Sequence, residues 1–313
     1  MQTASNIVHG DWKTYQHEAE RVRAMVFIAE QKVPRELEFD EDDKTAEHFI
    51  SFDARHMVTG CARLLDNGRI GRVAVLRPFR GRGIGEAVMK TVLERAKARG
   101  MKAFATCEEA ARWADVVVVA VKPHLVEGVV KPIRGILKDR LVLTVAVGRL
   151  FDFYESILES GTRHLSTLPN TPVSINEGIV ICEARHSMTL DDEAFVEQLF
   201  AKLGLAEFAD EKMMSAAGTL AGCGPAFAAM FIEALGDAAV KHGVARADAY
   251  RMASQMIVGT GKLQLASGQH PGAMKDAVCS PGGTTIIGVA ALERKGFRSA
   301  VIDAIDAIET RSR

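Results

Sequence analysis

The first hundred residues alternate short apolar stretches with polar turns, whereas later apolar positions gather into longer, more continuous runs. In "AERVRAMVFIAEQ", Val22, Met25, Val26 and Ala29 recur at helical spacing. "HFISFD", "HMVTGCARLL" and "RIGRVAVL" are β-type segments parted by Asp, Asn and Gly turns. Residues 70–106 continue as strand, glycine-arginine loop, helix and a further strand over "MKAFAT". Farther on, Val116 to Val121 and Leu141 to Val147 are near-continuous β-branched runs, and Gly178 to Cys182 is another. Such strands are those buried on both faces, which predicts a parallel sheet covered by helices. Thr189 and Asp192 form a capping-box pattern ahead of Phe195, Val196, Leu199, Phe200 and Leu203, with Gly204 as the stop. From about residue 211 the spacing is helical throughout. Phe227, Phe231, Leu235 and Ala238 mark one helix, and Phe297, Val301, Ile305 and Ile308 the last.

Composition narrows the class. The 313 residues, 48% hydrophobic and 25% charged, fit a soluble globular chain with two cores rather than a disordered or fibrous one. Lys plus Arg number 39 against 40 for Asp plus Glu, so nothing in the global field recruits nucleic acid or an anionic membrane. Charge divides near residue 102, with +3 before it and −4 after. Cys61, Cys107, Cys182, Cys223 and Cys279 are odd in number, scattered and never in a C-x-x-C pair, which argues against a disulfide framework and a metal site and suits a reducing cytoplasm. No leader-like apolar region opens the chain, and no run reaches the ~18 uninterrupted apolar residues of a spanning helix. A soluble, cytoplasmic protein is expected. The acidic run Glu36, Glu38, Asp40, Glu41, Asp42 and Asp43 lacks the glycine and terminal glutamate of a calcium loop and is predicted to be a solvated loop.

Two stretches carry chemistry. In "RPFRGRGIGEAVMKTVLERAKARG", Arg80, Gly81, Arg82, Gly83 and Gly85 lie between an apolar strand and a long helix. Glycines let backbone N–H groups close on a phosphate, a helix N-terminus adds a favourable dipole, and Arg77, Arg80 and Arg82 add charge, so a pyrophosphate cradle is predicted. Together with "VFIAEQKVPRELEFDEDDKTAEHFI" and "GCARLL", this region resembles the GNAT superfamily of N-acetyltransferases over about residues 1–103. The resemblance implies that the loop holds the acetyl-CoA pyrophosphate and that Ala74 and Val75 pair with the pantetheine arm. The strand, helix and hairpin with which that family completes its acyl site do not follow here.

From about Ala105 to Arg311 the chain resembles pyrroline-5-carboxylate reductase, through "ADVVVVAVKP", "LVLTVAVG", "LPNTPVSINEGIV", "AGTLAGCGPAFAAMFIEALGDAAVKHG" and "HPGAMKDAVCSPGGTTIIGVAALE". The resemblance implies that Ala120, Val121, Lys122 and Pro123, with Ala146, Val147 and Gly148, line the nicotinamide end of NADPH or NADH. Asn170 and Thr171 would shape the floor. Ser280, Gly283, Thr284 and Thr285 would bind the substrate carboxylate and ring, with Thr285 supplying the hydroxyl nearest the imine nitrogen. It also implies a homo-oligomer through the C-terminal helices. Reducing a cyclic imine needs a hydride donor, a proton source and donors for one carboxylate, and a Ser-Pro-Gly-Gly-Thr-Thr turn opening a helix suits the last two. Cys223 and Cys279 read as small packed residues, and His270 as a turn or supporting residue.

The expected architecture is therefore α/β plus all-α. It comprises an N-terminal α+β acetyltransferase-like fragment (1–103), a partial Rossmann-type parallel sheet (104–210) and a helical substrate and dimerisation domain (211–313). The family's first strand, Gly-x-Gly-x-x-Gly turn and helix are missing, since no Gly-x-Gly triplet here has Gly or Ala at the sixth place. One expectation is that the 70–106 unit fills the gap by joining the sheet at Val116 to Val121. Three functions follow: a reductase making proline, an acetyl-CoA-dependent acetyltransferase, and an inactive fusion retaining only the oligomerisation module.

Overall fold

The computed structural model describes residues 6–102, 104 and 106–311, which form two compact units, 1–113 and 114–313. In the first, strands β1 (Asn6–Gly10), β2 (Glu47–Phe52), β3 (Val58–Leu64) and β4 (Ile70–Val75) form one antiparallel sheet in chain order. Helices cover both faces. Ile50, Cys61 and Ala74 pack against Ala19, Val22 and Val26, while Phe49, Ala62 and Leu64 point the other way, onto Ile84, Val88, Val92 and Ala96 of the helix Ile84–Ala98. The strand period of two decides which residue joins which core.

The predicted first helix differs in one respect. Trp12–Arg23, capped by the Asp11 carboxylate on Thr14 N at 2.9 Å, widens into a π-helix over Ala24–Glu30. An i→i+5 turn rotates the buried face away from the regular spacing. Val22 and Val26 stay buried and Phe27 packs beside them, whereas Met25 and Ala29 are exposed.

The acidic run is not simply a solvated loop. Glu38 and Asp43 are each 2% exposed, folded over two buried arginines. Arg23 donates to Glu38 Oε1 and Asp43 Oδ1, both at 2.7 Å, and Arg63 donates to Asp43 Oδ1 at 2.8 Å. Arg72 reaches Asp40 at 3.0 Å. Glu36, Glu41 and Asp42 face solvent as expected. Charge counting along the chain cannot distinguish these fates, because the arginines that select Glu38, Asp40 and Asp43 come from other elements.

In the second unit, β5 (Val116–Val119), β6 (Leu141–Thr144), β7 (Arg163–Pro169), β8 (Gly178–Glu183) and β9 (Gly204–Ala209) form a five-stranded sheet in chain order. β5, β6 and β7 are parallel. β8 turns back antiparallel to β7, and β9 is parallel to β8. The link from Pro169 to Gly178 is too short for a crossover, which takes about a dozen residues, so the wholly parallel sheet expected from "GIVIC" gives way to a mixed one. Thr189 and Asp192 make the predicted capping box on the helix Leu190–Phe200, and Gly204 opens β9.

The 70–106 unit does not complete this sheet. β4 pairs with β3, and β5 pairs with β6 at the sheet's end, where Val118 is 56% exposed. A tight turn joins β3 to β4, with Leu65 N bonded to Arg69 O at 2.9 Å. Local hairpin closure costs less chain entropy than a distant parallel pairing. The strand expected over "MKAFAT" includes residues 103 and 105, which lie outside the described residues, and the described ones there form none.

From Glu211 onward the unit is helical: Glu211–Lys241, Arg246–Ser267, Pro271–Ala277, Thr284–Arg294 and Phe297–Arg311. At Gly236 the first two pack so closely that a Cβ would lie 2.3 Å from the Tyr250 ring.

Candidate active site

Three of the predicted segments meet at one end of the second sheet. Because β5, β6 and β7 are parallel and in register, with Val119 beside Thr144 and Thr144 beside Ser166, their carboxyl ends lie side by side. Ala120–Pro123, Ala146–Gly148 and Asn170 all follow directly from these ends. That is where open α/β sheets place their ligands. Val147, Gly148, Leu168 and Pro169 border a cavity of about 820 Å³, closed on the other side by the helix Glu211–Lys241 and Ile308.

Each segment is braced differently. Asn170 is 9% exposed, and both ends of its amide are bonded: Nδ2 donates to Ala221 O at 3.1 Å and Oδ1 accepts from Ile179 N at 2.8 Å. It ties the strand end to the helical module. Val145 N bonds to Val119 O at 3.2 Å and Arg149 N to Ala146 O at 3.2 Å, bending the chain through Gly148 at φ +72°. Ala146 is buried, while Ala120, Lys122, Val147 and Gly148 are exposed.

Sequence reasoning missed the wall that the helix contributes. Ser215, Gly218, Thr219 and Gly222 line the cavity. Their spacing of i, i+3, i+4 and i+7 puts four small residues on one helix face, a readable signal. Cys223 also lines the cavity and, like Cys279, is half-exposed rather than packed away. By contrast, burial pushes the Cys61 and Cys182 thiols up to about 12.

The substrate turn lies elsewhere. Gly283 N bonds to Ser280 O at 3.0 Å, and Gly283 is the N-cap of the helix Thr284–Arg294. Ser280, Thr284 and Thr285 are exposed, and none of the four predicted residues lines the cavity. His270 accepts from Gly272 N at 3.0 Å, capping the helix Pro271–Ala277.

In the first unit, Gly81 and Gly83 adopt φ +73° and +77°, and Gly83 caps the helix Ile84–Ala98. A left-handed backbone at both positions explains the glycines. Arg80 is spent internally, donating to Val75 O at 2.9 Å and to Glu30 at 2.8 Å, and Arg82 lies over the Phe79 ring. Ala74 and Val75 sit on β4, the last strand of the sheet. No group of three or more metal-ligating side chains occurs among the described residues.

Comparisons with known proteins divide the chain along similar lines. The profile described as pyrroline-5-carboxylate reductase dimerisation matches residues 211–313, that of the acetyltransferase (GNAT) family residues 12–114, and that of coenzyme F420-dependent NADP oxidoreductase residues 83–148. Residues 83–114 fall in both of the latter. Pyrroline-5-carboxylate reductase of Treponema pallidum is 41% identical over 66% of this chain and 80% of its own length, and that of Escherichia coli 42% over 66% and 77%. Among solved structures, Plasmodium falciparum pyrroline carboxylate reductase with NADP bound superposes with a TM-score of 0.62, at 32% identity over 68% of this chain and 81% of that one.

Proposed function

Since the chain belongs to the pyrroline-5-carboxylate reductase family, we propose that it reduces the C=N bond of 1-pyrroline-5-carboxylate to give L-proline, using NADPH or NADH. The observation that carries this reading is the cavity at the carboxyl ends of the parallel strands β6 and β7, bordered by Gly148, Pro169 and the small-residue helix face. The small residues on the helix face leave room there for a flat ring such as a nicotinamide. The sheet begins at β5, so it offers no glycine-rich turn for the pyrophosphate, and weaker cofactor binding than in a complete dinucleotide domain is expected.

When bound, the nicotinamide supplies a hydride to the imine carbon. The chain's own residues would do the rest. Ala120–Pro123 and Ala146–Gly148 would border the ring, and Asn170 would hold the floor by bonding both the β8 backbone and the helical module. Ser280 and the N–H groups of the turn through Gly283 and Thr284 would take the substrate carboxylate at a helix N-terminus. The Thr285 hydroxyl would hold a proton at the imine nitrogen. Because that turn does not line its own chain's cavity, a second copy would supply it. The helix Glu211–Lys241 fits such an assembly: its most apolar 18-residue window, of mean hydropathy 1.4, is only 11% buried in the single chain.

Acetyl-CoA binding by the first unit is the second reading, favoured by the left-handed Gly81–Gly83 loop on the sheet's last strand. Calorimetric titration with NADPH and with acetyl-CoA, followed by addition of pyrroline-5-carboxylate, separates the readings. NADPH binding with turnover is expected. Acetyl-CoA binding alone would replace the reductase reading with the second, and binding of neither would leave an oligomerisation module without catalysis.

A further inference from the structure

The segment Val145–Leu150 is one of the three assigned to the proposed nicotinamide site, and it lines the cavity through Val145, Val147, Gly148 and Leu150. It emerges from β6 as loop, carries the exposed Val147 and Gly148, and leads into the short helix Phe151–Ile157, whose N-cap residue Leu150 provides no side-chain cap. Two side chains, Glu183 from β8 and Arg149 of the segment itself, tie it to its surroundings. Glu183, at the end of β8 and 1% exposed, accepts a hydrogen bond from Phe151 N through Oε2 at 2.8 Å. Arg149 sends Nε to Pro123 O at 3.4 Å and lays its guanidinium over the Phe153 ring, 4.5 Å from the centroid. The first contact holds the segment's far end to the sheet. The second joins it to the neighbouring segment Ala120–Pro123.

We infer that Glu183 and Arg149 are positioning residues for the cofactor end of the site, setting the height and spacing of Ala146–Gly148 against Ala120–Pro123. This rests on the reductase reading, for which the two segments matter together. Neither residue touches the cavity itself. Their action is through the backbone: a buried carboxyl placed where a helix start lacks its own cap, and a cation bridging two neighbouring loops beyond the last backbone bond between their strands. The arrangement matters more here than in a complete dinucleotide domain. Without a pyrophosphate turn in the sheet, the nicotinamide end depends more heavily on the strand-end segments and the helix face opposite them. A displacement of about 1 Å at such a place lowers a rate by about a hundredfold.

The test uses the full chain with Glu183→Gln, Glu183→Leu and Arg149→Met. Amide hydrogen exchange of residues 146–151 is measured without ligand, with residues 163–169 as internal reference. Turnover is then measured against both NADPH and pyrroline-5-carboxylate. Glu183→Leu and Arg149→Met should speed exchange in 146–151 while the reference strand is unchanged. They should lower kcat by about ten- to a hundredfold with little change in KM for the imine. Glu183→Gln, which keeps an oxygen acceptor, should behave as the wild type in both measurements. Unchanged exchange at 146–151 in both Glu183→Leu and Arg149→Met overturns the inference. So does an amide variant as damaged as the leucine one, or exchange that rises equally in the reference strand. A wild type with no turnover defeats the reductase reading, and the exchange comparison still decides whether these residues hold the segment.

Discussion

Arg23 shows how far a single residue's role can be from its place in the sequence. It stands in the apolar stripe of the first helix, next to Val22, and is 1% exposed because two carboxylates fold over it. Burial opposes ionisation of Asp43, but the Arg23 and Arg63 guanidiniums outweigh it and hold the carboxyl below its ordinary range. A lowered folded pKa adds stability that is complete above the unfolded value, about 3.9, and is lost as pH falls through the folded one. His48 acts in the same direction at higher pH. Burial lowers its pKa against the backbone bond to Asp43 O, so it favours the fold fully above about 6.5 and less as acid charges it in the unfolded chain. Thermal melts of wild type from pH 7 to pH 3 should show the first unit weakening steadily. Arg23→Met should cost that unit about 3–5 kcal/mol at neutral pH by stranding buried carboxylates. Its stability should also depend less on pH between 4 and 3, since Asp43 then loses one of the two guanidiniums that lower its pKa. Equal stability of the variant and wild type would show that the network is not coupled to folding.

At the scale of elements, most boundaries follow from local signals. The capping box at Thr189 and Asp192 starts its helix where expected, with Thr189 Oγ1 accepting from Asp192 N at 3.2 Å. Thr189→Ala should cost about 1 kcal/mol, read as a lower urea midpoint at constant slope. What local signals do not contain is how elements approach one another. The π-helix at Ala24–Glu30 moves Met25 and Ala29 out of the core although the spacing put them in it. The Gly236 contact with Tyr250 depends on two helices meeting. Gly236→Ala, which would improve an isolated helix, should instead destabilise the helical module by about 1–3 kcal/mol through overpacking. A stabilised variant would mean that the ring moves aside freely.

Across the whole molecule, the helical module exposes Met230, Leu263 and Leu265 at 60% or more. Apolar area on that scale favours association, and the match of residues 211–313 to a dimerisation family gives the partner as a second copy. Sedimentation should find an oligomer. The double variant Met230→Glu, Leu263→Glu should sediment as a monomer with unchanged far-UV circular dichroism and should lose turnover, because the Ser280–Thr285 turn would no longer reach another chain's cavity. A monomeric variant that retains turnover would place the whole site within one chain.

The sequence by itself determined the four succeeding patterns of the fold, namely the short N-terminal strands, the β-branched runs, the capped helix and the helical end, because hydrophobic period and capping are local properties of the chain. It also singled out the strand-end segments Ala120–Pro123 and Ala146–Gly148, and the turn at Ser280–Thr285, through their motifs. Tertiary structure alone decided which of these share a space. It placed β4 and β5 in different sheets, since a hairpin closes at lower entropic cost than a distant pairing. It gathered the ends of β6 and β7 and a face of small helical residues around one cavity while leaving the substrate turn and Ala120–Pro123 outside its lining. It also drew Glu38 and Asp43 out of an acidic run into a buried network, because the arginines that neutralise them arrive from residues far along the chain.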